Sequence, residues 1–201
     1  MLEGGEGAGK STHAQWVRDW LRARGRDVLL TREPGGSPLA EAIRELILRD
    51  WDDGMPPLTE LLLIFAARAA HVHARIEPAL SAGTDVVCDR FVDASYAYQG
   101  AGRELGSASV AALEKLVLGS LRPDLVLVLD IDPEEGLRRT KHRGEENRFE
   151  AETLQFMRRV RQAYLDRAAE GKSRYAVIDA ARSKDLVEAD IAKILEQKWP
   201  V

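Results

Sequence analysis

The chain has a single cysteine, Cys88, so it can form no internal disulfide and has no cysteine cluster for a zinc site. Flanked by Val86 and Val87, Cys88 reads as a small apolar core residue. No run of about 18 apolar residues is found, which excludes an ordinary membrane-spanning helix, and no secretory leader pattern is recognisable. A cytoplasmic location is therefore expected. Positive charge is not in surplus: 29 Lys and Arg stand against 33 Asp and Glu, a formal net charge of −4. That balance argues against a general nucleic-acid coat, a nucleic-acid-driven motor or a membrane-surface binder. The guanine-selecting run N-K-x-D is also missing, which argues against a GTPase-type switch. With 201 residues, 45% apolar and 31% charged, the chain suits one soluble domain spanning 1–201 with a sizeable core.

Glycine, by contrast, is concentrated near the start. Residues 4–11 read Gly4-Gly5-Glu6-Gly7-Ala8-Gly9-Lys10-Ser11, followed by Thr12, and match the phosphate-binding pattern G-x-x-x-x-G-K-[ST]. The glycines let successive backbone N–H groups point inward at a polyphosphate. Lys10 can reach the β- and γ-phosphates, and the Ser11 hydroxyl can ligate Mg²⁺. A helix must follow, adding its positive end to the same anion site. Such a loop ordinarily leaves the end of a buried strand, yet only Met1, Leu2 and Glu3 precede Gly4. The expectation is that residues ahead of them have been lost.

Hydrophobic periodicity predicts helices over 11–24, 39–48, 57–82 (bent near Pro78), 107–118, 133–142, 152–170 and 184–199. It predicts buried strands over 28–31, 85–89, 125–130 and 175–178, which with the leading segment make five. The alternation implies an α/β fold of the P-loop NTPase type, a five-stranded, mainly parallel sheet with helices on both faces. Ligands should bind beyond the carboxyl ends of the strands, where the loop, Glu33, Asp89, Arg90 and Asp130 fall. Arg90 suits a second anion, although pairing with Asp89 or Asp93 would also account for it. Arg44 and Arg68 lie on helices bordering the same cleft. Arg68 shares a helix face with Ile64 and Phe65, and spacing alone leaves Phe65 open between core and ligand. The basic stretch 138–148 is either a solvated helix end or the source of an arginine that closes over a transferring phosphoryl group.

Thr31-Arg32-Glu33-Pro34-Gly35-Gly36, Asp89-Arg90-Phe91 leading to Ala97-Tyr98-Gln99-Gly100, and Arg122-Pro123-Asp124-Leu125 extend the pattern along the chain. With the loop, they resemble the thymidylate kinases from end to end, most closely the bacterial subgroup with an arginine-free phosphate loop and a basic lid. The resemblance implies phosphoryl transfer from ATP with Mg²⁺ to dTMP, giving dTDP in dTTP synthesis, by a homodimer. It implies ATP phosphates on Lys10 and the loop amides, Mg²⁺ on Ser11, and Glu6 close to the nucleotide. It places the dTMP phosphate on Arg90 and Arg44, the thymine edge on Arg68, and Phe65 against the ring. Tyr98 would crowd the 2′ position, with Gln99 near the base and Glu33 and Ser95 also on the acceptor side. Arg143 and Arg148, in a lid at 143–149, are the candidates to meet the phosphoryl group.

Two positions depart from the family pattern. The stacking aromatic often stands where this chain has Ile64, one residue before Phe65, and a hydroxyl residue often stands at Ala94. Another nucleotide or small-molecule kinase is the alternative reading. The apolar stripe Leu61–Ile64 would serve equally as core or as part of a dimer interface.

Overall fold

Short apolar runs flanked by longer amphipathic stretches fold as the alternation requires. A computed structural model describes residues 1–141, 148–149, 151–171 and 173–199, with Lys141 described in its backbone alone. The strands are β1 (Leu2–Gly4), β2 (Val28–Arg32), β3 (Asp85–Asp89), β4 (Val126–Asp130) and β5 (Tyr175–Asp179). They lie in the order β2-β3-β1-β4-β5, and every observed pair is parallel. β1 is central. The chain leaves it first for β2 and β3 on one side and later for β4 and β5 on the other, so a crevice opens at its carboxyl end.

β4 shows why its sequence is apolar without alternation. Leu127 and Leu129 face a cluster shared with α1 (Lys10–Arg22) and α9 (Lys184–Lys198). Val126 and Val128 face the opposite cluster, built on α8 (Leu154–Glu170). Burial on both faces stabilises each such side chain by roughly 1.5–3 kcal/mol. A third cluster joins α3 (Pro57–His71) to α6 (Ser107–Leu118) through Leu61, Phe65, Val110 and Leu118. The remaining helices are α2 (Pro38–Leu48), α4 (Glu77–Ser81), α5 (Val92–Ser95) and α7 (Pro133–Lys141).

Two departures from the periodicity have local causes. The helix expected to bend near Pro78 changes gauge before it, through a π-helical turn at Val72–Ile76. Proline has no N–H and its ring crowds the carbonyl four residues back, so the preceding turn widens and Glu77 N–H donates to Val72 O. A second π-helical segment, Tyr96–Gly102, follows α5 and carries Tyr98 and Gln99 toward the crevice. Hydrophobic spacing did not reveal it, because a π turn shifts the period away from 3.6.

The phosphate loop rests on the first turn of α7. A Cβ on Gly7 would lie 2.1 Å from Gly136 O, and a Cβ on Gly136 would lie 2.3 Å from Glu6 O. The two backbones therefore touch at glycine on both sides, and Gly7 also sits at φ 71°, in the left-handed region. Alanine at Gly136 would gain up to about 1 kcal/mol of helix propensity, but overpacking costs roughly 1–3 kcal/mol. Gly136→Ala is therefore expected to lower the melting temperature and weaken polyphosphate binding. An unchanged or higher melting temperature would show that the contact does not constrain the loop.

Candidate active site

A cavity of about 270 Å³ lies beyond the carboxyl ends of β1, β2 and β3. Its floor is the phosphate loop. Gly9, at φ 82°, turns the chain into α1 with no side chain capping the helix, so the first-turn N–H groups remain for an anion. Ala8 is buried in the core and offers only its backbone, whereas Glu6, Gly7, Gly9, Lys10, Ser11 and Thr12 line the cavity. The Lys10 ammonium donates to Gly5 O at 2.7 Å. Burial, then the neighbouring Arg90, pulls its pKa down to about 8 against the pull of Glu6 and Asp89. Ser11 Oγ donates to Asp89 Oδ2 at 2.5 Å, which places a hydroxyl and a carboxylate together at the loop's mouth.

Arg90 directly follows β3 at φ 67°, a strained backbone for a residue with a side chain. Its Nη1 donates to Gly4 O at 2.8 Å and Tyr164 Oη at 3.2 Å. Its Nη2 donates to Glu6 Oε1 at 2.6 Å and Tyr98 Oη at 3.0 Å. Pairing with Asp89 or Asp93, left open by the sequence, is not what occurs: Asp89 holds Ser11, and Asp93 holds Arg167. Burial works against the guanidinium's charge, but Tyr98, Glu6 and Tyr164 outweigh it. Burial likewise opposes charge on Glu6, and Arg90 with Lys10 overcomes it, holding this carboxyl below its usual range. Glu3, which sequence reading passed over, accepts from Phe91 N–H at 2.6 Å and Tyr164 Oη at 2.9 Å. Burial, then Asp93, pushes its pKa up to about 7.

Arg68 stands at the far wall, buried, with three of its five N–H groups committed. Nε donates to Glu33 Oε2 at 2.7 Å, Nη1 to Ser95 Oγ at 3.0 Å and Nη2 to Phe91 O at 2.9 Å. One N–H on each terminal nitrogen remains. Phe65 lies against the guanidinium, its ring centroid 4.6 Å from Cζ, but belongs to the α3–α6 core. Ile64 takes the cavity wall instead. The reason is helical: Ile64 is a full turn from Arg68 and shares its face, while Phe65 is rotated toward α6. Ala94, Ser95, Tyr98 and Gln99 line the same end.

The stretch Thr31–Gly36 acts largely as scaffold. Glu33 Oε1 meets His71 Nδ1 at 3.0 Å, and His71 Nε2 meets Thr31 Oγ1 at 2.7 Å. A Cβ on Gly36 would lie 2.4 Å from His71 Nε2, so glycine is required there. Arg44 also faces the cavity, donating to Pro34 O at 2.8 Å. Among the described residues it has no ion pair, and burial, then Arg32, lowers its pKa. Arg148 is turned away from the loop: Nη2 donates to Glu60 Oε2 at 2.6 Å and Nε to Ile47 O at 3.1 Å. Its neighbour Phe149 lines the cavity, edge-on to Tyr98 at 5.7 Å. Arg143 lies outside the described residues. Glu3, Glu60, His71, Phe149 and Tyr164 carried no local sequence signal, because their partners are distant in the chain.

A family model described as thymidylate kinase matches residues 2–191. A thymidylate kinase of Pseudomonas putida F1 is 55% identical over 194 residues, 96% of this chain and 92% of that protein. Another, of Pseudomonas syringae pathovar tomato, is 55% identical over 196 residues, 98% of this chain and 93% of its own length. The crystal structure of a thymidylate kinase from Ehrlichia chaffeensis superposes with a TM-score of 0.80 at 29% identity, covering 96% of each chain.

A polyphosphate held against Lys10 would favour its protonated form, and the pKa of this ammonium is otherwise about 8. Triphosphate capture should therefore be constant at lower pH and fall as pH rises through about 8. In Lys10→Arg that limb should disappear, because a guanidinium stays charged throughout. A wild-type kcat/KM for the triphosphate that stays flat to about pH 9.5 would contradict the depressed value.

Proposed function

The chain belongs to the thymidylate kinase family, and from that membership we propose how its cavity divides the work of the reaction. The activity is phosphoryl transfer to dTMP in dTTP synthesis, with a nucleoside triphosphate as donor. We assign the donor half to the loop: the amides of Gly4 to Thr12 and the Lys10 ammonium hold the ATP phosphates. The acceptor half is assigned to Arg90, Arg44 and Arg68. The single observation that carries this division is that Lys10 of the loop lines the same cavity as Arg90, Arg44 and Arg68.

Four N–H groups of Arg90 are already committed to protein oxygens. The dTMP phosphate therefore takes the Nε–H and displaces Glu6 or Tyr98 from Nη2. Glu6 acts until then as a stand-in anion that keeps the guanidinium aimed. Arg68 offers its two remaining N–H groups to the keto edge of thymine, with Ile64 rather than Phe65 covering the ring. Tyr98, held by Glu6 and Arg90, crowds the sugar's 2′ position. The acceptor is an anion at neutral pH, so positioning and charge neutralisation supply the catalysis without a strong base.

Mg²⁺ bound with the triphosphate neutralises charge on the phosphate oxygens. The Ser11 hydroxyl and Asp89 carboxylate are hard oxygen donors suited to it. Among the described residues no group of three or more His, Cys, Asp or Glu side chains could hold a metal, and an ion that arrives with phosphate oxygens needs fewer protein ligands. The phosphoryl group's further positive charge is assigned to Arg143, within a lid at 143–149, because Arg148 is engaged with Glu60. We also propose a homodimer, supported by exposed Leu46, Leu58, Leu62 and Leu116 on α2, α3 and α6. A cytoplasmic location is in keeping with the buried free thiol of Cys88, and among the described residues no helix is long and apolar enough to cross a membrane.

The test is a panel of dTMP, dUMP, dCMP, AMP and GMP with ATP and Mg²⁺, run on the wild type and Arg68→Ala. Wild type should favour dTMP, and the variant should raise KM for dTMP by about tenfold or more, with KM for ATP little changed. Equal effects on both constants would contradict the assignment of Arg68 to the base.

A further inference from the structure

Glu60, in the first turn of α3, has a fully buried carboxylate yet takes no part in the chemistry above. A buried carboxylate persists only when its oxygens are answered, and these are answered three times over. Oε1 accepts from Gln99 Nε2 at 2.8 Å. Arg103 approaches both oxygens, with its Nη2 3.1 Å from Oε2. Arg148 Nη2 donates to Oε2 at 2.6 Å. Arg103 also pairs with Glu152, just before α8, so two guanidiniums and two carboxylates balance.

Glu60 does not line the cavity, but two of its contacts lead there. Gln99 forms part of the cavity wall. An ionised carboxylate only accepts, so Glu60 fixes which way the Gln99 amide faces. The amide's Oε1 is left without a hydrogen-bond partner among the described residues. Arg148 leads to its chain neighbour Phe149, which forms wall on the other side of Tyr98. The Arg148 guanidinium lies 4.9 Å from the Phe149 ring, and the ring meets Tyr98 at an interplanar angle of 89°. Tyr98 thus neighbours two wall residues, Gln99 bonded to Glu60 directly and Phe149 linked to it through Arg148.

We propose that Glu60 is a positioning residue for the acceptor nucleotide, orienting Gln99 directly and Phe149 through Arg148. The proposal rests on the assignment of the Arg68 end of the cavity to the base. Removing the charge in Glu60→Gln leaves Arg103 paired with Glu152 alone and Arg148 without a carboxylate among the described residues. Arg148 then loses its charged anchor and keeps its bond to Ile47 O, and the Gln99 amide is no longer held to one orientation.

Steady-state constants for both substrates test this in Glu60→Gln, Arg148→Met and the double variant, beside Arg68→Ala. KM for dTMP should rise about tenfold in Glu60→Gln and by a lesser factor in Arg148→Met, with KM for ATP nearly unchanged. In the double variant the factors should not multiply, because both changes break one linkage. A role confined to holding the fold would move both KM values together or lower the melting temperature alone. Should Glu60→Gln fail to fold, Arg148→Met, at a partly exposed site, carries the test. If Arg68→Ala is selective for dTMP while neither of these variants is, the inference is overturned. If Arg68→Ala is itself unselective, the base assignment beneath it fails instead.

Discussion

The structure of the site depends on how a partly buried guanidinium just after β3 is satisfied. Arg90 follows the last residue of β3, and its N–H still bonds Leu2 O of β1 at 2.9 Å. To reach this position the backbone enters the left-handed region, which costs a non-glycine residue about 1–2 kcal/mol. The four hydrogen bonds of its side chain then draw in Gly4 and Glu6 of the phosphate loop, Tyr98 of the π-helical segment and Tyr164 of α8. A buried cation left without such partners would be far more costly than the strain. Loop, π turn and α8 are therefore registered against one another through a single side chain. The same charge, against burial at Glu6 and after burial at Lys10, lowers the pKa of both groups, so Arg90 contributes to the electrostatics of the loop.

The cleft holds several cations before any nucleotide arrives. Glu6 and Glu33 serve as internal counter-ions to Arg90 and Arg68, while Asp89 accepts a hydrogen bond from the Ser11 hydroxyl. On the proposed assignment these contacts keep the guanidiniums aimed into the cavity, and the dTMP phosphate has only one partner of Arg90 Nη2 to displace. Arg44, without an ion-pair partner among the described residues, supplies unbalanced positive potential at the entrance. Specificity has a different source from charge. We assign it to Arg68, whose orientation is set through Glu33 by His71 and Thr31, and to a wall of Ile64, Tyr98, Gln99 and Phe149.

How much of this the sequence shows depends on whether the determinants are local. The phosphate loop is legible because its glycines, lysine and serine act within one turn of backbone. The strand at 125–130 is legible because burial on both faces demands an unbroken apolar run. The choice between Ile64 and Phe65 is not, because one residue of helix is a rotation of 100° and spacing alone does not say which face meets the ligand. The π turns escape for a related reason, since periodicity is the signal they alter. Partnerships across the fold leave no local mark: Glu60 is 39 residues from Gln99 and 88 from Arg148, and His71 is 38 from Glu33. Gly136 reads as an ordinary helix residue until the loop is seen lying on it.

On the proposed assignment Arg90 binds the acceptor phosphate and does not merely brace the loop against α8 and the π-helical segment. Calorimetric titration of dTMP and of thymidine into the wild type and Arg90→Met tests it most directly, because the two ligands differ only by the phosphate. The account requires dTMP to bind the wild type at least about a hundredfold more tightly than thymidine, and requires that advantage to shrink by tenfold or more in the variant. An advantage for dTMP that survives undiminished in a folded Arg90→Met protein would contradict it.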